Sequence, residues 1–237
     1  MKFHLKKTIS LALILGIVSL SYASYQSGGY LPENEVVNTT SIIGLPPSNN
    51  SIAFLNDKAI SEATFSLDKN SQEYIKAIHD ASNDSDIHIA DFSKAFGQKL
   101  SKEDTPAIYN LLQKAIVDAN NAKNIDKDYY KRKRPFIFFD KNPCDLSEDP
   151  SSYSYPSGHT TRAWTYGLIL TELKPQNAIE ILKVANGKGQ SRVICGVHWQ
   201  SDIEAAKMVA TINFTILQTN EQFKKDFKNA QKETSKR

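Results

Sequence analysis

The chain has 237 residues, 40% of them hydrophobic and 23% charged, which is enough to bury a sizeable core. Its formal charge of +3 is accounted for by Lys2, Lys6 and Lys7; the rest of the chain is formally neutral, which excludes a strong electrostatic footprint for nucleic acid or an anionic membrane surface.

Residues 1–23 read as a secretory signal peptide. A basic start is followed by the apolar run Ile9 to Leu20 and by Ser21, Tyr22 and Ala23, in which the small Ser21 and Ala23 suit cleavage near Ala23. The run is shorter than the roughly 20 residues that cross a bilayer and no second one follows, so no stable membrane insertion is expected. A periplasmic or secreted location is expected instead. Residues 24–49, rich in Ser, Gly, Asn and Pro, read as an extended N-terminal arm of a domain that fills 24–237.

After the cap signal Asn49-Asn50-Ser51, the spacing of Ile52, Leu55, Ala59, Ile60 and Ala63 predicts a helix. A second is predicted over Gln72 to Ala81, and a third carries Ile89, Phe92 and Phe96 before Gly97. His79 and His88 have no evident partners and read as structural or surface residues. The clearest helix starts at Thr105-Pro106 and shows Ile108, Leu111, Leu112, Ala115, Ile116 and Ala119 on one stripe. Thr160 to Leu173 reads as a buried helix ended by Lys174-Pro175. Gln176 to Gly187 and Asp202 to Gln218 are helical in pattern, and Asn220 to Lys232 reads as an exposed, charged terminal helix. Alternating strand patterns are nearly absent. The predicted fold is all-α, a single-domain helical bundle with its active site at helix ends and connecting loops.

Three clusters carry chemistry. Lys127 is followed after six intervening residues by Arg134-Pro135, in a basic run interrupted by Tyr129 and Tyr130 and followed at once by Phe136-Ile137-Phe138-Phe139. A basic run is ordinarily a solvated face, but this one must enter the core, and Pro135 disfavours helix at Arg134, so the chain turns there and aims Arg134 inward. Pro156-Ser157-Gly158-His159 leads into the buried helix. A hydroxyl and unpaired N–H groups at a helix start suit an anion, although such a sequence is also a common cap. Ser191-Arg192 is followed after five residues by His198, and four positions on from His198 by Asp202. Four residues of helical spacing let the Asp202 carboxylate reach the imidazole and fix its tautomer; the commoner meaning of that spacing is a surface hydrogen bond. Cys144 and Cys195, in an oxidising compartment, form either a disulfide or two buried free thiols. A bridge would tie the loop after Arg134 to the segment before His198.

Together the three clusters resemble the signature of the superfamily that joins bacterial non-specific acid phosphatases, type 2 phosphatidic acid phosphatases and vanadium haloperoxidases. The wider resemblance is to the secreted class A bacterial acid phosphatases. It extends over most of the chain, through Ser51 to Ala59 and the block Gly189 to Asp202, and departs from the class pattern where Tyr153 stands at a usual glycine. The resemblance implies that His198 attacks phosphorus with Asp202 holding its ring, and that His159 serves as acid and then base. It implies that Lys127, Arg134 and Arg192, with Ser157 and the N–H of Gly158, clamp the phosphate oxygens. No metal or cofactor is expected. The substrates implied are small phosphomonoesters of broad range, hydrolysed through a phosphohistidine with a phosphotransferase side activity, and self-association is expected. A vanadate-dependent haloperoxidase, a lipid phosphate phosphatase and a non-enzymatic phosphate-binding protein are the alternatives.

Overall fold

The computed structural model describes residues 25–234, so the expected signal peptide and its expected cleavage point lie outside the described residues. Every regular element among the described residues is helical, as the near absence of alternating patterns predicts. The longest helix, α6 (Pro106–Tyr130), has Pro106 in its first turn, where no donor is lost. Before it come α1 (Thr40–Ile43), α2 (Ile52–Phe65), α3 (Gln72–Asp80), α4 (Ser85–Ala90) and α5 (Ser93–Phe96). After it come α7 (Pro135–Phe139), α8 (Gly158–Leu173), α9 (Ala178–Ile194), α10 (Gln200–Leu217) and α11 (Glu221–Thr234).

Helix α8 is central, packed on by α6, α9 and α10. Its Tyr166, Ile169 and Leu170 meet Leu112, Ala115 and Ala119 of α6 and Ile181 and Ala185 of α9 in the main core cluster. Each large apolar side chain sealed there contributes about 1.5–3 kcal/mol. Close approach of α8 to α9 depends on Gly167: a Cβ there would lie 2.8 Å from the Ala185 Cβ. An alanine would therefore push the two helices apart.

Helix α6 is fixed along its whole length. At its start, the free N–H groups of Ala107 and Ile108 donate to the Glu233 carboxylate of α11 at 3.0 and 2.9 Å, which answers both the unpaired donors and the helix dipole. Midway, Asp118 accepts from the N–H groups of Tyr30 and Leu31 at 2.8 and 3.0 Å, and Asn121 pairs with the backbone of Gln26. Near its end, Thr39 donates to Asp126 at 2.5 Å. The N-terminal arm is thus tied down by polar residues of α6, and it contains α1 and a 3-10 turn at Glu33–Glu35.

Three expectations are corrected, and one predicted helix forms with a buried face that its apolar spacing does not mark. The helix expected through Ile89, Phe92 and Phe96 is two short helices, because the chain bends at Asp91-Phe92 while all three side chains stay buried. The helix expected to stop at Gly187 continues to Ile194, since Gly187 and Gly189 lie within a packed helix whose later residues are buried. Helix α2 forms, but its buried residues are Phe54, Asp57 and Ser61, leaving Ile52 and Leu55 exposed: the inward face is chosen by a polar partner described below. The terminal helix is amphipathic rather than simply exposed, with Phe223, Phe227 and Ala230 buried.

Candidate active site

The site lies where the last turn of α6, the N-termini of α7, α8 and α10, and the C-terminus of α9 converge on a cavity of about 450 Å³. His198 sits two residues before α10, after a sharp turn at Gly196. That glycine has φ +76°, and a Cβ on it would lie 2.4 Å from the Phe65 ring, so both conformation and space require glycine.

His198 is almost fully buried and is held by two contacts of opposite sense. Its Nδ1 lies 3.3 Å from Asp202 Oδ2, and its Nε2 lies 3.2 Å from Arg134 Nη1. A guanidinium only donates, so Nε2 must carry the lone pair and Nδ1 the proton. The i,i+4 pair read from the sequence is therefore a buried dyad, not a surface hydrogen bond. Burial, and then the charges of Arg134, Lys127 and Arg192, hold the His198 pKa well below the usual range. The ring stays unprotonated in acid that would protonate a free imidazole.

Asp202 is fully buried and also accepts from the N–H of Trp199 at 2.8 Å and from Arg132 Nη1 at 2.6 Å. Burial pushes its carboxyl pKa up, opposed chiefly by the Arg132 charge. Arg132, which sequence reasoning missed, bridges Asp202 to Asp57 of α2 at 2.7 Å and donates to Ser201 at 2.7 Å. Its plane lies 5.2 Å from the Trp199 ring centroid. This buried bridge is what turns Asp57, and with it α2, inward.

Arg134 is in extended conformation before Pro135, with 4% exposure, pointing inward as its sequence context predicts. Besides His198 it donates to Val197 O at 2.9 Å and Ser152 Oγ at 3.0 Å. Arg192, on the last turn of α9, is fully buried with Nε and Nη1 unpaired. The two guanidiniums share one anion: the Glu148 carboxylate lies 2.6 Å from Arg134 Nη2 and 2.6 Å from Arg192 Nη2. Glu148, also missed from the sequence, stands where two cations converge, and it marks a place for a tetrahedral oxyanion. Lys127 donates to the Tyr153 carbonyl, and burial together with Arg134 and Lys123 pushes its pKa well down. A bound anion would favour its charged form.

Ser157 caps α8, accepting from Thr160 Oγ1 at 2.9 Å. It is fully buried behind the cavity wall that Gly158 and His159 line, and its own hydroxyl proton is free to donate. His159 has Nε2 3.1 Å from the Ser82 carbonyl, which fixes the proton there and leaves Nδ1 without a bond to any described residue. Burial, Arg192 and Arg162 hold its pKa well below the usual range too. Behind it lies the buried His88 ring, centroids 5.6 Å apart, whose Nε2 is 2.6 Å from the same carbonyl. Burial lowers the His88 pKa to about 4. His88 is thus a structural residue as read, but not a partnerless one, and the exposed His79 pairs with Asp91 at 3.1 Å.

Cys144 and Cys195 are joined by a disulfide, with the Cys144 N–H donating to Cys195 O at 2.9 Å. It fastens the loop bearing Glu148 to the end of α9. Among the described residues no helix is long and apolar enough to cross a membrane.

Residues 107–224 match the PAP2 superfamily. The chain is 37% identical over 211 residues to a non-specific acid phosphatase of Providencia stuartii, covering 87% of this chain and 85% of that one. It is 34% identical over 230 residues to a non-specific acid phosphatase of Salmonella typhi, covering 93% and 91%. A transmembrane PAP2-type phosphatidylglycerolphosphate phosphatase from Bacillus subtilis shares the fold, with a TM-score of 0.51 at 19% identity over 73% of this chain and 88% of that one. The chain therefore belongs to the PAP2 superfamily and, within it, to the class A non-specific acid phosphatases.

Proposed function

We propose that this acid phosphatase is metal-independent and hydrolyses a broad range of phosphomonoesters through a phosphohistidine at His198. The observation that carries this reading is the pair of opposed contacts on His198: Asp202 takes the Nδ1 proton, and an Arg134 N–H points at the Nε2 lone pair. In the first step Nε2 bonds to phosphorus as the bond from phosphorus to the alcohol oxygen breaks, and His159 gives that oxygen a proton. In the second, His159 takes a proton from water as the water oxygen attacks phosphorus and the bond to nitrogen breaks. Lys127, Arg134 and Arg192, with the Ser157 hydroxyl and the Gly158 N–H, meet the charge on the non-bridging oxygens. Three fixed cations supply there what a metal ion would otherwise supply.

The two histidines explain an acidic working range. His198, surrounded by three cations, remains a free base in acid. His159 must carry a proton in the first step although its pKa is lowered, and both acidic solution and the bound phosphate dianion favour that proton. The phosphoryl group on His198 can pass to alcohols as well as to water, so a phosphotransferase side activity is part of the proposal. So is export to the periplasm or beyond, supported by the leader pattern and the Cys144–Cys195 bridge. Self-association is proposed on the resemblance, with sedimentation velocity as its measurement.

The test is hydrolysis of p-nitrophenyl phosphate between about pH 4 and about pH 8, with and without EDTA, in wild type and His198→Ala. Acid-favoured activity, indifferent to EDTA and abolished in the variant, is expected. Loss of activity with EDTA, or its survival in the variant, overturns the mechanism.

A further inference from the structure

Five basic side chains line or adjoin the cavity, and the phosphate cage uses three of them. The other two are Lys123 and Arg162. Lys123 is one turn before Lys127 on α6, and Arg162 one turn after Gly158 on α8, so each lies about 6 Å along its helix from a cage residue. Lys123 lies against the cage edge: a Cβ on Gly158 would meet its Nζ at 3.4 Å. Among the described residues neither cation makes an ion pair, and the one hydrogen bond of Arg162 is a long 3.5 Å contact to Asn83 O. The Asn120 and Asn124 side chains, on the same face of α6, line the cavity without a hydrogen bond to any described residue.

Such an arrangement costs stability without a ligand. Two cations line one partly enclosed space, and the carboxylates of the cavity, Asp145, Glu148 and Asp149, come from the loop between α7 and α8, where Glu148 is already taken by the two arginines. Burial, then Arg162 and Arg134, push the Lys123 pKa down to about 8. An ordinary surface lysine would extend into solvent instead.

We infer that Lys123 and Arg162, with the Asn120 and Asn124 amides, form a second anion subsite beside the phosphate cage, selecting phosphomonoesters whose alcohol carries another phosphate or carboxylate a few bonds from the ester oxygen. The inference rests on the reading of the cage as the site of phosphate hydrolysis. The cage would hold the reacting phosphate, and the subsite the second anion, displaced toward the second turns of α6 and α8. A monoester without that group uses the cage alone.

Two non-hydrolysable probes, propylphosphonate and propylene diphosphonate, test the subsite by titration calorimetry, so that binding is read independently of turnover. The wild type is expected to bind the diphosphonate about tenfold more tightly, beyond the factor of about two that two equivalent ends confer. Lys123→Gln and Arg162→Gln are each expected to shrink that ratio about threefold, and Arg162→Lys to restore part of it. Lys207→Gln, on the outer face of α10, controls for general loss of positive charge and is expected to leave the ratio as it is. A wild-type ratio no greater than the statistical one, or the same ratio in the Gln variants at Lys123 and Arg162, overturns the subsite. Failure of wild type to hydrolyse p-nitrophenyl phosphate overturns the phosphatase reading instead, and the probe ratio still decides the subsite.

Discussion

On one wall of the cavity His198, Asp202 and Arg192 are at most 2% exposed and are fixed by backbone, by Arg132 and by the α9–α10 turn. On the other wall the loop of residues 144–154 presents Glu148, with 15% of its side chain exposed, and the exposed Asp149. On the first wall every polar group of the dyad has a partner, and burial sets its protonation. The second is an irregular loop, held at its start by the disulfide, at its end by hydrogen bonds from Arg134 to Ser152 and from Lys127 to the Tyr153 carbonyl, and between them by the Glu148 carboxylate, which occupies the arginines that the proposed mechanism assigns to substrate. In the proposed mechanism the buried wall holds the reacting groups, while the open one competes for the arginines.

Breaking the buried wall should have the largest effect. Asp202→Asn removes the acceptor that holds the Nδ1 proton, and kcat should fall by about 10³-fold in single-turnover and steady-state assays with p-nitrophenyl phosphate. Retention of most of the rate would mean that Asp202 does not set the tautomer. Arg132→Gln strands Asp57 and Asp202 as buried charges without a cation, and should lower the unfolding free energy in urea by about 3–5 kcal/mol. If stability is unchanged, the two walls are not held as unequally as the packing implies.

Acid should weaken the same wall. His88, His159 and His198 all have lowered pKa values, so between their folded values and the ordinary one near 6.5 the unfolded chain binds more protons. Stability is then complete above about pH 6.5 and is lost as pH falls, by on the order of 3 kcal/mol for His88 alone once pH nears its value of about 4. Thermal unfolding at stepwise lower pH should show a falling Tm, offset by added inorganic phosphate. A Tm that rises on acidification would contradict the assignment of these rings as neutral. On the open wall the effect is smaller and of opposite sign. Glu148→Gln frees both arginines, and should tighten inhibition by inorganic phosphate by about threefold to tenfold. Weaker inhibition would make Glu148 a supporter of the cage rather than a competitor.

The same contrast explains what could be read from the chain alone. The spacing from His198 to Asp202, the proline after Arg134 and the Ser157-Gly158-His159 helix start encode local geometry, and the fold brings all three to one cavity. Arg132 was hidden because a basic run gives no sign of which member turns inward, and its partner Asp57 lies 75 positions away. Glu148 was hidden because it acts from an irregular loop, where no periodicity singles out a residue. The extension of α9 through two glycines was missed because tertiary packing outweighs their low helix propensity. The buried face of α2 could not be read from its apolar spacing, because the ion pair to Asp57 decides which side faces in.

The Glu233 carboxylate on the first turn of α6 has a practical bearing. That helix is a strut about 37 Å long from its 25 residues, with the tail of the chain clipped to one end and Lys127 in its last turn at the other. A purification tag or trimmed terminus that unseats Glu233 would leave the first N–H groups of α6 without their acceptor, so the choice of expression boundary bears on the stability of the helix that carries Lys127.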